Sequence, residues 1–209
     1  MSFLDRFKQN KQGAEPEANI PVVIVSGLPR SGTSMMMKIL EAGGLPILTD
    51  NLRTADEDNP KGYYEFEIVK DLPGGGDAAW LDGAGGKVVK IISFLLQHLP
   101  ATHTYKVLFM RRNVDEILAS QRQMLIRRGE PSDQDDAKMA ETFQEHLKRV
   151  KVWLANQKNI EVLYVDYNAL MKAPEAPIRA VADFLSMPLA VDKMLAVPDA
   201  SLYRNRKAD

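Results

Sequence analysis

The chain has 209 residues, of which 45% are hydrophobic and 26% charged, with a formal net charge of −1. That balance supports a globular domain with a real core and leaves no overall basic footprint for nucleic acid. Cysteine is absent, which excludes disulfides, thiolate metal sites and a cysteine nucleophile.

Residues 1–19 are polar, mixed in charge and contain Pro16, and read as a flexible arm in which Phe3, Leu4 and Phe7 share one helical face. Residues 20–209 read as a single domain. The first residues lack an apolar stretch before a small-residue cleavage site. No apolar run reaches membrane-spanning length. A cytoplasmic location is therefore the default expectation.

The apolar run over 21–26 predicts a first strand. A glycine loop follows, then a helix over about 32–42 that stops at Gly43-Gly44. Met35, Met36, Met37, Ile39 and Leu40 make that helix apolar on most sides, as suits a helix buried against a sheet. Residues 50–62 are acidic and include the turn Asn59-Pro60-Lys61-Gly62. Glycines at 74–76 and from 83 to 86 mark a further flexible stretch. Val88–Ile92 and Tyr105–Met110 are short apolar runs, the pattern of strands buried on both faces. Asn113 is placed to cap the next helix, with Glu116 three residues on as its capping-box partner. A long helix over about 134–157 carries Met139, Phe143, Leu147, Val150 and Leu154 on one face. Here His146 reads as an ordinary helix residue. Ile160–Val165 is another strand, Asp166 is suited to cap a short helix at 167–172, and Pro174 opens a final helix with Ile178, Val181 and Leu185. Strands alternating with helices predict an α/β fold of three layers, with a mostly parallel central sheet flanked by helices. Ligands in such folds sit at the carboxyl ends of the strands. The loop at 27–34, the segment at 91–93 and Arg111-Arg112 all fall at that edge.

The loop reads Gly27-Leu28-Pro29-Arg30-Ser31-Gly32-Thr33-Ser34. A strand, a tight glycine turn and a helix start make a phosphate cradle, because loop amides and a helix N-terminus present donors to an anion. The spacing fits the P-loop frame G-x-x-x-x-G-K-[ST], except that Thr33 occupies the lysine place and the basic residue is Arg30. At the end of the third apolar strand, Arg112 precedes Ser120 by eight residues. A guanidinium fork and a hydroxyl two turns into a helix suit a second phosphate. Two anion sites on one edge suit a nucleotide phosphorylated at two places.

The loop resembles the 5′-phosphosulfate loop, P-[KR]-S-G-T-[ST], of sulfotransferases that use 3′-phosphoadenosine 5′-phosphosulfate (PAPS). Arg112 with Ser120 resembles their 3′-phosphate motif, R-[DN]-P-x-x-x-x-x-S. Asn59-Pro60-Lys61-Gly62-Tyr63-Tyr64-Glu65 is similar to the N-P-x-G-[YF]-x-E segment of bacterial members, and Tyr167 to Leu170 with Pro174 and Phe184-Leu185 to their Y-x-x-L…P…F-L region. The likeness runs from about 21 to 188. It implies a P-loop fold and transfer of a sulfuryl group from PAPS, with 3′-phosphoadenosine 5′-phosphate (PAP) as product, to an acceptor hydroxyl or amine on a small molecule, glycan or lipid. On that reading Gly27, Pro29, Arg30, Ser31, Gly32, Thr33 and Ser34 bind the 5′-phosphate, Arg112 and Ser120 bind the 3′-phosphate, Arg30 supplies catalytic charge, and no metal is required.

The sequence departs from the pattern in three places. Asn113-Val114 replaces the preferred acid and proline. Ile92 stands where cytosolic members carry a histidine base. No R-K-G-x-x-G loop follows the last helix, where Arg204 and Arg206 are the basic residues. A base must then come from elsewhere. Glu65, beside a turn, is the first choice and Asp50, after the first helix, the second; Glu67 and Asp71 follow. His98 and His103 read as surface histidines, and Lys90 either faces the donor or forms a structural ion pair. Tyr63, Tyr64, Phe66 and Trp80 either line an acceptor pocket or fill core. The sequence also admits two other readings. One is a P-loop kinase or NTPase, for which Asp166 after an apolar strand would hold Mg²⁺. The other is a nucleotide-binding protein that lost catalysis.

Overall fold

The computed structural model describes residues 20–50, 62–75, 78–130 and 135–199. The expected arm at 1–19, most of the turn at 59–62, and Arg204 and Arg206 lie outside them.

Five strands form one sheet: β1 (Val22–Gly27), β2 (Ile47–Leu48), β3 (Val88–Lys90), β4 (Tyr105–Arg111) and β5 (Ile160–Asp166). All neighbours run parallel, in the order β2-β3-β1-β4-β5. The helices are α1 (Thr33–Ala42), α2 (Val114–Arg127), α3 (Asp136–Ala155), α4 (Tyr167–Lys172), α5 (Glu175–Leu185) and α6 (Val191–Leu195). Short 3-10 helices span Glu67–Gly74, Ala79–Gly83 and Leu96–His98.

Strand side chains alternate between faces, and each face buries its own core. Val23, Val25, Val88, Leu108, Met110 and Val165 meet Met36, Met37 and Leu40 of α1 and Ile178, Val181 and Leu185 of α5. Val22, Ile24, Val89, Ile91, Val107 and Phe109 face the opposite way, onto Leu154 of α3 and Leu72, Leu81 and Leu96 of the 3-10 helices. Complete burial of each such aliphatic chain stabilises the fold by roughly 1.5–3 kcal/mol. Phe66 and Trp80 meet edge to face, with centroids 5.5 Å apart, against this second core.

The central order carries the functional consequence. The chain leaves β1 toward β2 on one side, whereas it leaves β4 toward β5 on the other. Their following loops diverge and open a crevice above the carboxyl ends of β1 and β4.

Several elements differ from the sequence expectation. β3 stops at Lys90 instead of Ile92, although Ile91 and Ser93 still donate from their amides to the Val25 and Gly27 carbonyls, at 3.0 Å each. β2 is a two-residue strand that the sequence does not announce. The helix after Pro174 is not the last, since α6 follows it. Asn113 caps α2, accepting from the Asp115 amide at 2.9 Å. The expected capping-box role of Glu116 gives way to a buried one: its carboxylate accepts from Arg112 Nε and Asn168 Nδ2, both at 3.0 Å. A guanidinium at this depth draws the carboxylate inward more strongly than a single amide would.

Candidate active site

The loop between β1 and α1 is held in a shape that few sequences tolerate. Gly27 has φ +144°, and a Cβ there would lie 2.5 Å from Ser31 Oγ and 2.7 Å from the Met110 carbonyl oxygen. Leu28 points inward to Ile117, Leu118 and Phe143 and anchors the loop to α2 and α3. The Ser31 amide donates to the Leu28 carbonyl at 3.1 Å. Arg30 sits at φ +70°, a left-handed conformation uncommon for a residue with a side chain. Such backbone strain gathers at functional sites.

At the base of the loop, Gly32 precedes α1 with φ +99°. No side chain caps this helix, and its first turn holds no acidic residue. The first amides of a helix have no intrahelical partner, and the helix dipole makes that end favourable for an anion. Ser31 Oγ is buried and has no hydrogen-bond partner among the described residues. An unmatched buried hydroxyl beside a helix start is a donor set that fits a phosphate oxygen.

The second predicted clamp lies against the first. Arg30 Nε donates to Ser120 Oγ at 3.0 Å, and Arg112 Nη1 donates to the Arg30 carbonyl at 3.1 Å. The Arg112 guanidinium lies 4.5 Å over the centre of the Tyr167 ring and pairs with Glu116, both side chains less than a tenth exposed. Tyr167 also backs Gly32, so one aromatic ring lies against both the glycine loop and Arg112. Burial pushes its hydroxyl above the ordinary tyrosine value, with the Arg112 charge opposing that rise.

The structure thus gathers Gly27, Arg30, Ser31, Gly32, Arg112 and Ser120 at the β1/β4 crevice. Thr33 opens α1 there, and Ser34 Oγ donates to the Tyr63 carbonyl at 3.4 Å. Lys90 Nζ donates to the same carbonyl. Lys90 thereby ties the 62–67 segment to the end of β3. Along that segment the Glu65 carbonyl accepts from the Asp50 amide at 3.2 Å and from Thr49 Oγ1 at 2.9 Å. The Asp50 carboxylate accepts from the Glu67 amide at 2.6 Å, so it holds the start of the 3-10 helix Glu67–Gly74. Glu65 and Asp50 are both half-buried.

Other residues make their contacts outside this cluster. His103 is near the amino end of β4, where Nε2 meets Asp82 at 3.2 Å. His98 neighbours Gln97. Tyr64 donates to Glu41 at 2.8 Å on the outer side of α1, where burial raises its hydroxyl to about 12. Arg122 pairs with Asp136. Asp166 Oδ1 accepts from the Ala169 amide at 2.8 Å, which is the capping role expected for it. Among the described residues no group of three His, Asp or Glu is placed to hold a metal ion.

Sequence reasoning passed over two features. One is the Glu116–Arg112–Tyr167 brace. The other is His146 on α3, whose ring meets Ser93 Oγ at 2.9 Å and stacks 3.8 Å from Phe94. The signal was available, since His146 lies three residues after Phe143 and four before Val150, on the apolar face of the helix.

A sequence profile of the sulfotransferase family matches residues 66–191, more than half of the chain. No curated protein sequence matches it. Among solved structures, the sulfotransferase domain from the curacin biosynthetic pathway shares 16% identity over 84% of this chain and 76% of its own, with a TM-score of 0.48. Mouse sulfotransferase SULT7A1 complexed with PAP shares 17% identity over 90% of this chain and 65% of its own, with a TM-score of 0.50. A sugar kinase from Janibacter sp. HTCC2649 shares 13% identity over 81% of this chain and 96% of its own, with a TM-score of 0.41. The mouse enzyme supports the parallel P-loop architecture, and by the profile match the chain belongs to the sulfotransferase family.

Proposed function

We propose that the protein transfers a sulfuryl group from PAPS to a hydroxyl or amine of a small-molecule, glycan or lipid acceptor and releases PAP. The observation that supports this reading most is the 3.0 Å contact of Arg30 Nε with Ser120 Oγ, which joins the glycine loop after β1 to α2. A chain of the same architecture was solved with PAP, which points the same way.

The donor supplies an activated S–O bond. The residues of this chain supply its holding and its charge. The amides of Gly32 and Thr33, with the Ser31, Thr33 and Ser34 hydroxyls, bind the 5′-phosphate at the start of α1. Gly27 and Pro29 shape the turn that brings them there. Ser120 and Arg112 take the 3′-phosphate end, with Arg112 kept in place by Glu116 and Tyr167. Arg30 turns from Ser120 to the oxygens on which charge grows as the S–O bond breaks; fixed donors aimed there lower the barrier. Asp50 is committed to the Glu67 amide.

Calorimetric titration tests the reading. PAP is expected to bind the wild-type protein without added metal. Ser120→Ala should weaken PAP about tenfold, the loss of one hydrogen bond to a charged group. Arg30→Ala should depress transfer by about two orders of magnitude while changing PAP affinity far less. Tight binding of ATP with Mg²⁺ and no binding of PAP would overturn it.

A further inference from the structure

The crevice has two sides. Arg112 and Ser120 occupy the β4 side, so the acceptor has to approach the transferring group from the β3 side. There the Ser93 amide donates to the carbonyl of Gly27, the first residue of the phosphate loop. Ser93 is 1% exposed, and its hydroxyl lies 2.9 Å from Nε2 of His146, a residue 53 positions away that is 9% exposed. Phe94, 38% exposed, stacks on the imidazole at an interplanar angle of 14°. Nδ1 of His146 has no hydrogen-bond partner among the described residues and is not one of the sealed polar atoms. One ring nitrogen is thus fixed by a hydroxyl beside the phosphate loop, and the other is open.

We infer that His146 is a base of the acceptor site, its Nδ1 taking the proton of the incoming hydroxyl or amine, and that Ser93 is the residue that positions it. This rests on the donor reading above. In this proposal Ser93 Oγ accepts from Nε2–H, the tautomer that leaves the lone pair on Nδ1. A base oriented by a third group is a recurring arrangement in group transfer. In the step, the acceptor oxygen or nitrogen forms its bond to sulfur and the bond from sulfur to the 5′-phosphate oxygen breaks. PAP leaves with that electron pair, and the acceptor proton passes to Nδ1 to give an imidazolium.

The surroundings suit a neutral ring before reaction. Burial lowers the affinity of the imidazole for a proton, and Arg149, one turn along α3, lowers it further. On the elements packed against α3, the 3-10 helix Leu96–His98 carries His98, and α2 carries Asp115, Glu116, Arg122 and Arg127, of which Glu116 pairs with Arg112 and Arg122 with Asp136. A core histidine satisfied by one serine would share the Ser93 contact. It would not leave a ring nitrogen open next to an exposed aromatic at the loop edge.

The test uses the full chain, with PAP as probe and with water as the acceptor for PAPS. His146→Gln assigns one of the three histidine Cε1–H signals by removing it. PAP is expected to raise the His146 titration midpoint by several tenths of a pH unit, since its phosphates are anionic and near, and to leave His98 and His103 unmoved. PAP release from PAPS should fall about 100-fold in His146→Gln, with PAP affinity within twofold of wild type. The acidic limb of the rate profile should vanish in His146→Gln and move in Ser93→Ala, a readout that a packing role would not touch. If PAP binds and the His146 signal stays put, or if Glu65→Gln alone removes the acidic limb, the assignment to His146 is overturned. If PAP does not bind the wild-type protein, the donor reading itself falls and takes this one with it.

Discussion

Gly32 faces two demands that no other residue type meets together. Its backbone lies at φ +99°, and an added Cβ would come within 2.8 Å of Cε2 of Tyr167. Moving that ring would undo its stacking under Arg112 as well. Gly32→Ala should therefore cost about 2–4 kcal/mol of unfolding free energy in a urea titration, the scale of a strained backbone plus an overpacked contact. The loss should come with loss of PAP binding. The neighbouring ion pair behaves differently. Arg112 and Glu116 are both buried, paired and hydrogen-bonded onward to the Arg30 carbonyl and Asn168. Glu116→Ala leaves a buried guanidinium without its carboxylate, and such a loss costs about 3–5 kcal/mol. An unchanged urea midpoint for this variant would show that the brace is not what holds Arg112.

At the scale of elements, α4 shows how a cap settles a short helix. Its six residues cannot sustain a helix by propensity. Asp166 accepts from the Ala169 amide, while Tyr167, Leu170 and Met171 are buried. Asp166→Ala should lower stability by about 1 kcal/mol, and Asp166→Asn should keep most of it, because both caps offer an oxygen to the same amide. Equal losses would point to the charge, not the cap. This element was legible in advance because its signals are local: an acid at the boundary, then a turn of apolar residues. So were β1 and β4 with their buried runs, β5 with its apolar run, and the glycine loop, whose signals need no distant partner. β2 was not legible, since two residues carry no period and its pairing is set by β3. Ending β3 at Lys90 has a similar cause: the next residues pair only through alternate amides, because the chain turns toward the 3-10 helix Leu96–His98. At the site, the motif residues could be named from spacing. The role of Glu116 and the meeting of Ser93 with His146 depend on contacts across 52 and 53 positions. Long-range pairings of that kind leave no local trace.

For the whole molecule, the Ser93–His146 contact joins the functional edge of the sheet to α3, and so links the site to global stability. Because His146 has a folded proton affinity below its ordinary value, the unfolded chain binds more protons than the folded one across the window beneath about pH 6.5. The stabilising contribution is then complete above that value and is lost as pH falls through the lowered folded midpoint. Wild-type unfolding free energy should decline on acidification from pH 7 to pH 5, beyond what the carboxylates contribute. His146→Gln should flatten that part of the profile while leaving the carboxylate-driven loss at lower pH in place. PAP, if it raises the His146 midpoint, should shrink the decline, because a folded state that accepts the proton more readily is penalised less by acid. Urea titrations at half-unit pH steps, with and without PAP, measure all three effects. A wild-type profile that is flat from pH 7 to pH 5 would mean that the imidazole is not held neutral, and the coupling of site to stability would be lost with it.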